Sequence, residues 1–474
     1  MVVDAKKPHV VVLPSPGIGH VTPMLELAKR LVIHHSCHVT FLYITTQASA
    51  AQTRLFHHLP PGLNVIDLPP ADVSALISDE TPYLANLCIT IRESLLCLKA
   101  TLLEMQKPHA LITDLFSTQA LDTCKDLSIP FYVFCTTSAL FLAFSFFCAL
   151  DFNQHDTFAP VPGAFIHLPG CAQLRKEDLP FTNSGNVDEW HSDHLRRIIM
   201  ADGILLNTCE DLEPEPVRAM QEDSFFKQIP MPPVYSVGPL VKETEPITGN
   251  GEECLAWLDK QTPGSVLFVA LGSAGNLCAE QLTELAWGLE LSKQRFLWVV
   301  RPPTGASGID SYFKVGCADA DPEAYLPKGF TERTRELGMM VASWAPQLSV
   351  LRHKSTGAFL SHCGWNSSLE SVSHGVPMIA WPLCADQMMN ATFLVKDLGV
   401  AIKPVVEAGT RIIGRKEVER VVREVIMGEE GKLIRERARE LKEIESKVVH
   451  CGGKSYETLA HVVNQFVGCV SNGF

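Results

Sequence analysis

The chain has 474 residues, 46% of them apolar, with 31 Gly and 31 Pro. It is too long for one hydrophobic core and has the composition of two globular domains rather than of a disordered chain. A formal charge of −13 speaks against nucleic acid or an anionic membrane surface as a partner, and 15 cysteines without CxxC or zinc-ligand spacing read as free thiols in a reducing compartment.

Short Val/Ile/Leu runs alternate with helical patterns along the chain, the signature of parallel sheets joined by crossover helices. In the first half the predicted strands are Val10–Leu13, Val39–Ile44, Leu63–Leu68, Ala110–Thr113, Phe131–Cys135 and Gly203–Leu206. Pro14-Ser15-Pro16-Gly17-Ile18-Gly19-His20 follows the first strand and opens a helix whose apolar face is Val21, Met24, Leu25, Ala28, Leu31 and Val32. The third Gly of GxGxxG is absent, which weakens a dinucleotide, dehydrogenase-like reading. His20 stands at the helix start, where the dipole disfavours imidazolium and keeps the ring neutral, as a base requires. Asp114 ends the strand Ala110–Thr113 on the same sheet edge and is the candidate carboxylate partner. A histidine in such a place is more often structural than catalytic, so the pattern alone leaves both roles open.

The apolar stretch Phe131–Leu150 is interrupted by Thr136, Thr137 and Ser138 and lacks flanking clusters of Lys or Arg. It reads as a buried strand, a polar turn and an apolar helix (Leu140–Leu150), not as a membrane span. Without a signal-peptide pattern as well, the protein is expected in the cytoplasm. The polar, Pro/Gly-rich segment from Pro239 to Glu252 is the expected linker, with domain limits at 1–240, 241–252 and 253–455 and a last apolar-patterned helix in 456–474.

In the second half the predicted strands are Val266–Leu271, Phe296–Val300, Met340–Ala342, Gly357–Leu360 and Met378–Trp381. The pair Asp319/Asp321 has the DxD spacing of a metal ligand, but it sits in a polar loop instead of closing an apolar strand, and it reads as solvated. The strand ending at Leu360 runs into Ser361-His362-Cys363-Gly364-Trp365-Asn366-Ser367, and a helix follows that Gly375 and Pro377 stop. Ser367-Ser368-Leu369-Glu370 has the form of a capping box. Backbone N–H groups of such a helix start form a ready-made diphosphate site, with His362, Asn366 and Ser367 as added donors.

The 44 residues from Trp344 to Gln387, WAPQLSVLRHKSTGAFLSHCGWNSSLESVSHGVPMIAWPLCADQ, resemble the signature box of the plant family 1 UDP-glycosyltransferases. PSPGIGH, ITDLFST and Leu271-Gly272-Ser273 stand in the same order as in that family, so the resemblance covers essentially the whole chain. It implies the α/β GT-B fold: two Rossmann-like, doubly wound parallel-sheet domains facing across a cleft, acceptor on the first and donor on the second, with the final helix returning to the first. It implies an enzyme that uses UDP-glucose as co-substrate, needs no metal or other cofactor, and inverts the anomeric centre to give β-glucosides. The nearest branch glucosylates small phenols, hydroquinone-like compounds, monolignols or indoxyl-type hydroxyls, acting as a monomer. A UDP-sugar-binding protein without catalysis is the alternative.

By the same resemblance His20 is the base and Asp114 its orienting partner. Ser273, His362, Gly364, Asn366 and Ser367 would meet the diphosphate. Trp344 would stack on uracil, with the Ala345 backbone reading its edge and Gln347 and Glu370 on the ribose. Trp365, Asp386 and Gln387 would contact glucose, the Gln387 amide being able to bridge two adjacent hydroxyls. Phe116, Phe144 and Phe147 lie on segments that line the acceptor site in relatives, and Cys384 stands where relatives generally carry an aromatic. Phe141 and Phe146 belong to the same apolar run, of which at least half is expected to be core. Ala274 also departs from the usual Gly beside Ser273.

Overall fold

The structure is a computed structural model that describes residues 7–78, 81, 83–151, 165–171, 174–175, 178–180, 189–245, 247, 250–273, 275–303, 322–407 and 409–471. Two compact units divide the chain: Met1–Lys176, Phe181–Leu240 and Lys447–Phe474 form one, Glu177–Pro180 and Val241–Ser446 the other. The chain thus rejoins the first unit from Lys447, earlier than Tyr456, because the end of the long helix Glu429–Val448 already belongs there.

The first unit holds β1 (His9–Leu13), β2 (His38–Ile44), β3 (Leu63–Leu68), β4 (Ala110–Thr113), β5 (Phe131–Cys135), a short antiparallel pair β6 (Phe165–Ile166) and β7 (Leu174–Arg175), then β8 (Gly203–Leu206) and β9 (Val234–Ser236). Its seven-stranded parallel sheet has the order β3-β2-β1-β4-β5-β8-β9. All five residues of β1 and of β5 are buried, as expected of strands covered on both faces. The last helix, Lys454–Ser471, adds Leu459, Val462, Val463 and Phe466 to the core formed by Val10, Val12, Met24, Phe41 and Phe134. Each such side chain contributes about 1.5–3 kcal/mol by burial, so this helix is an integral layer of the unit.

The second unit holds β10 (Val266–Ala270), β11 (Arg295–Val300), β12 (Gly338–Ala342), β13 (Thr356–Ser361), β14 (Met378–Ala380) and β15 (Ala401–Ile402). They form a parallel sheet in the order β12-β11-β10-β13-β14-β15, the strand order of dinucleotide-binding sheets. In each sheet the order reverses at one place, between β1 and β4 and between β10 and β13. Ligands of doubly wound sheets bind at the carboxyl ends of the strands at such a reversal.

Within the described residues no helix is long and apolar enough to cross a membrane. Phe131–Leu150 is the strand β5 followed by the helix Ala139–Asp151. That helix is capped by Glu213, whose carboxylate accepts the Ala139 and Leu140 N–H groups at 3.0 Å each. Asp319 and Asp321 lie outside the described residues.

One buried carboxyl makes stability depend on pH. Glu445 is 3% exposed, and it accepts a 2.6 Å hydrogen bond from Ser373 through Oε2 while Oε1 finds no partner among the described residues. Burial pushes its pKa from 4.5 up to about 8, against the Ser373 bond. A folded-state pKa above the unfolded one means that stability is lost as pH rises from 4.5 to about 8, where the unfolded chain ionises and the folded one does not. Glu445→Gln removes that loss. The Tm of the variant, relative to wild type, is expected to be about 4 °C or more higher near pH 8 than near pH 5. An equal difference at both pH values, read by scanning fluorimetry, would refute the assignment.

Candidate active site

At the reversal of the first sheet, the turn after β1 and the ends of β4 and β5 converge on one imidazole. His20 is the third residue of the helix Ile18–His35, and its Nδ1 lies 2.9 Å from Asp114 Oδ2 and 3.3 Å from Thr136 Oγ1. Asp114 is fully buried and also accepts from Ser15 N (3.1 Å), from the Ser15 hydroxyl, and from the N–H groups of Phe116 (3.2 Å) and Ser117 (3.1 Å). Burial opposes its ionisation, but the hydrogen bonds and charge of His20 and the bonds of Ser15 outweigh it and hold the carboxyl below its ordinary pKa. An ionised Asp114 accepts a hydrogen bond from Nδ1–H of the ring, which leaves Nε2 with the lone pair. Ser15, Thr136 and Ser117 carry this arrangement unannounced by any spacing in the sequence. Their signal is only their position, one or a few residues past a strand end.

Phe116 is half-buried with its ring edge-on to His20 at 5.3 Å and to His194 at 5.8 Å. The other expected acceptor aromatics behave differently. Phe144 and Phe146 are each 1% exposed, and Phe147 is buried against Phe225, 5.0 Å between rings. The helix Ala139–Asp151 is apolar nearly all round and spends these rings on packing, and of Phe116, Phe144 and Phe147 it is Phe116 whose ring stands beside the imidazole.

At the reversal of the second sheet, β10 ends in Leu271-Gly272-Ser273 and β13 in the turn His362–Gly364. The His362 ring is wedged between two glycines. A Cβ on Gly272 (φ +72°) would lie 2.4 Å from Cε1 and Nε2, and one on Gly364 would lie 2.4 Å from Nε2. Neither position tolerates a side chain while the ring stays in place. Burial, and then the charge of Arg301, push the His362 pKa down to about 4, so the ring is neutral near pH 7, and its buried Nδ1 has no hydrogen-bond partner among the described residues.

The capping box does not form. The helix Trp365–His374 has Gly364 as its N-cap, three residues before Ser367, so Ser367 and Glu370 both lie inside it. Both side chains turn to Gln347 instead, whose Nε2 donates to Ser367 Oγ at 3.0 Å and to Glu370 Oε2 at 2.7 Å. The Glu370 carboxylate therefore has no competing cap to satisfy. Trp365 is 3% exposed and packs on Phe393, 6.3 Å between rings. Its indole is packed into the core of the second unit. Trp344 is the reverse case: it is 45% exposed and follows Ser343, which has φ 62°. Ala345 is buried behind it and Asn366 is half-buried.

Gln387 opens the helix Gln387–Lys396, with Asp386 as its N-cap. Its Oε1 accepts the N–H groups of Leu383 (3.0 Å) and Cys384 (3.2 Å), and its Nε2 lies 3.6 Å from the half-buried Cys384 Sγ. The amide oxygen is thus engaged by its own loop, whereas a bridge between two adjacent hydroxyls would need both ends of the amide. Buried Asn390 donates to Asp386 Oδ2 (2.9 Å) and to Cys363 O (3.0 Å), tying the Asp386 loop to the turn after β13. Neither Asn390 nor Arg301 was marked by the sequence. Ala274 lies outside the described residues.

Residues 217–444 match the family described as UDP-glucoronosyl and UDP-glucosyl transferase. The chain is 40% identical to the hydroquinone glucosyltransferase of Rauvolfia serpentina, over 98% of this chain and 99% of that protein. Among solved structures it is similar to TcCGT1 in complex with UDP, with TM-score 0.88 and 42% identity over 98% of this chain and 100% of that one. It is also similar to the Polygonum tinctorium UDP-glucosyltransferase capable of glucosylating indoxyl, solved with 3,4-dichloroaniline, with TM-score 0.85 and 38% identity over 98% and 99% of the two chains. Full-length identity at this level, on two parallel-sheet α/β units of the GT-B class, establishes that the chain belongs to the plant UDP-glycosyltransferases and is a transferase of the glycosyltransferase class.

Proposed function

We propose that the protein is an inverting, UDP-glucose-dependent O-glucosyltransferase acting on small aromatic hydroxyls such as hydroquinone-like phenols, monolignols or indoxyl. The observation that carries this reading is the His20–Asp114 pair, an imidazole held at 2.9 Å by a fully buried carboxylate at the reversal of the first sheet. Asp114 fixes the Nδ1–H tautomer and stabilises the imidazolium that forms when Nε2 takes the acceptor proton. The phenolate attacks the anomeric carbon from the side opposite UDP, one displacement that turns the α-linked sugar into a β-glucoside. Charge developing on the departing diphosphate is met by His362, Ser273, Asn366, Ser367 and the backbone of the helix that begins after Gly364. Exposed Trp344 offers a stacking face for uracil, beside the Ala345 backbone, and the linked Gln347 and Glu370 suit ribose hydroxyls. Asp386 and the NH₂ of Gln387 are left for the sugar.

Half-buried Phe116, edge-on to the base, favours a planar aromatic acceptor. The relatives that act on hydroquinone and indoxyl point to the same class. A panel of phenols with UDP-glucose, with mass detection of the products and NMR of the anomeric proton, tests substrate class and inversion together. Transfer to none of them, or an α-product, would overturn the proposal.

His20→Ala should abolish turnover while changing UDP-glucose affinity by less than about threefold, since the base meets the acceptor. Activity above about a hundredth of wild type would remove His20 from the role. Asp114→Asn turns an amide NH₂ towards donors that now meet an oxygen, and it should slow the same step by about 10²-fold or more with donor binding intact.

The donor side needs no metal in this scheme, because helix-start N–H groups and side-chain donors receive the diphosphate charge. EDTA is therefore expected to leave the rate unchanged. A loss on chelation that manganese restores would contradict it and would direct attention to Asp319 and Asp321.

Gln387→His should lower glucose transfer much more than galactose transfer, because it removes an NH₂ donor aimed at one hydroxyl orientation and releases the Leu383 and Cys384 N–H groups. The ratio of kcat/KM for the two donors, against one phenol, is the readout. A ratio within about twofold of wild type would mean that Gln387 does not read the sugar.

A further inference from the structure

The nucleotide reading of the second unit leaves one cation without a role. Arg301 follows β11 directly. Its Nη1 donates to Ser273 O at 2.8 Å, and its Nε and Nη2 both reach Ser343 O at 3.4 Å. The two carbonyls belong to different loops, one after β10 and one after β12, and β11 lies between those strands in the sheet. The guanidinium at the end of the middle strand therefore fastens together the loops that leave its two neighbours. Among the described residues no carboxylate pairs with it. Burial lowers its pKa only to about 10, so it stays charged near pH 7. A cation held in this way against two carbonyls, with no anion among the described residues, costs solvation, and an apolar residue after β11 would carry no such cost.

We propose that Arg301 is a positioning residue of the nucleotide site, which holds the Ser273 loop and the Ser343–Trp344 turn at the separation that UDP spans. The inference rests on reading these two loops as the diphosphate and uracil subsites. A ligand that touches both loops gains from having them fixed beforehand, because the ordering cost is met in folding rather than in binding. Uridine, which lacks the diphosphate, engages only the Trp344 side and gains far less. The device depends on a planar fork of N–H groups aimed two ways. Lysine keeps the charge but not the fork.

The test compares UDP and uridine on wild type, Arg301→Lys and Arg301→Gln, with calorimetric Kd for UDP, competition for uridine, and the Tm of each protein. Both variants are expected to lose about tenfold or more in UDP affinity and less than about threefold in uridine affinity, with KM for UDP-glucose rising more than kcat falls. A general loss of structure would weaken both ligands alike, and that result would overturn the proposal. So would UDP binding within about threefold of wild type in Arg301→Lys, the variant that carries the test if Arg301→Gln does not fold. Failure of the wild-type protein to bind UDP would sink the nucleotide reading itself, whereas tight wild-type binding with unaffected variants would sink only the clamp.

Discussion

In a parallel sheet every strand presents its carboxyl end on one edge, and where the strand order reverses the neighbouring connections leave towards opposite faces. The side chains proposed to carry chemistry in this protein are set by that constraint. His20 and Asp114 come from segments about a hundred residues apart, yet β1 and β4 are register partners, Leu13 opposite Thr113, so the residues after them are neighbours. In the same way Ala270 stands opposite Ser361, which brings the Gly272–Ser273 turn against His362. The two glycines around His362 follow from this closeness. Two turns cannot approach one ring so closely if either carries a Cβ.

Electrostatics has to work within the same geometry. A chain of net charge −13 is proposed to take an anionic co-substrate, so any attraction must be local. The second sheet concentrates it at strand ends: a helix start after Gly364, a neutral His362 able to donate, and the charged Arg301 nearby. The low pKa of His362 fits this arrangement. A second cation beside Arg301 would repel it, and the ring can serve as a hydrogen-bond donor without carrying charge.

Much of this was legible because the strands are buried on both faces. Apolar runs marked β1 to β5, β8 and β10 to β14, with limits differing by one or two residues at most, although the edge strand β3, LNVIDL, is buried only at its two ends. Strands β9 and β15 escaped because three or two residues at a sheet edge give no run to read. The helix after β13 was placed correctly, but its start was misjudged. Ser367 and Glu370 have the capping spacing, whereas the turn through Cys363, at φ 65°, lets the helix begin at Trp365. The aromatic run Phe141–Phe147 shows a limit of composition: a ring in an apolar helix has no sign that tells packing from ligand contact. Arg301 and Asn390 were invisible for another reason. Their partners are mostly backbone carbonyls, and a carbonyl has no letter in the sequence.

That last point bears on how such a site keeps its shape. Cys363 holds a left-handed conformation that costs a non-glycine residue roughly 1 kcal/mol, and the structure secures it with several bonds at once. Its carbonyl accepts from Asn390, its N–H donates to Ser361 Oγ at 3.2 Å, and Asn390 also grips Asp386. Ser343, at φ 62°, is held by the Arg301 fork in the same manner. Both strained residues lie one step from side chains proposed for the nucleotide, His362 and Trp344, and in both a polar side chain from another element, buried Asn390 or half-buried Arg301, supplies the fastening. Such turns are stable only in the folded unit, where their carbonyls have these partners. Turns fastened in this way already carry much of the ordering that a nucleotide would otherwise have to impose.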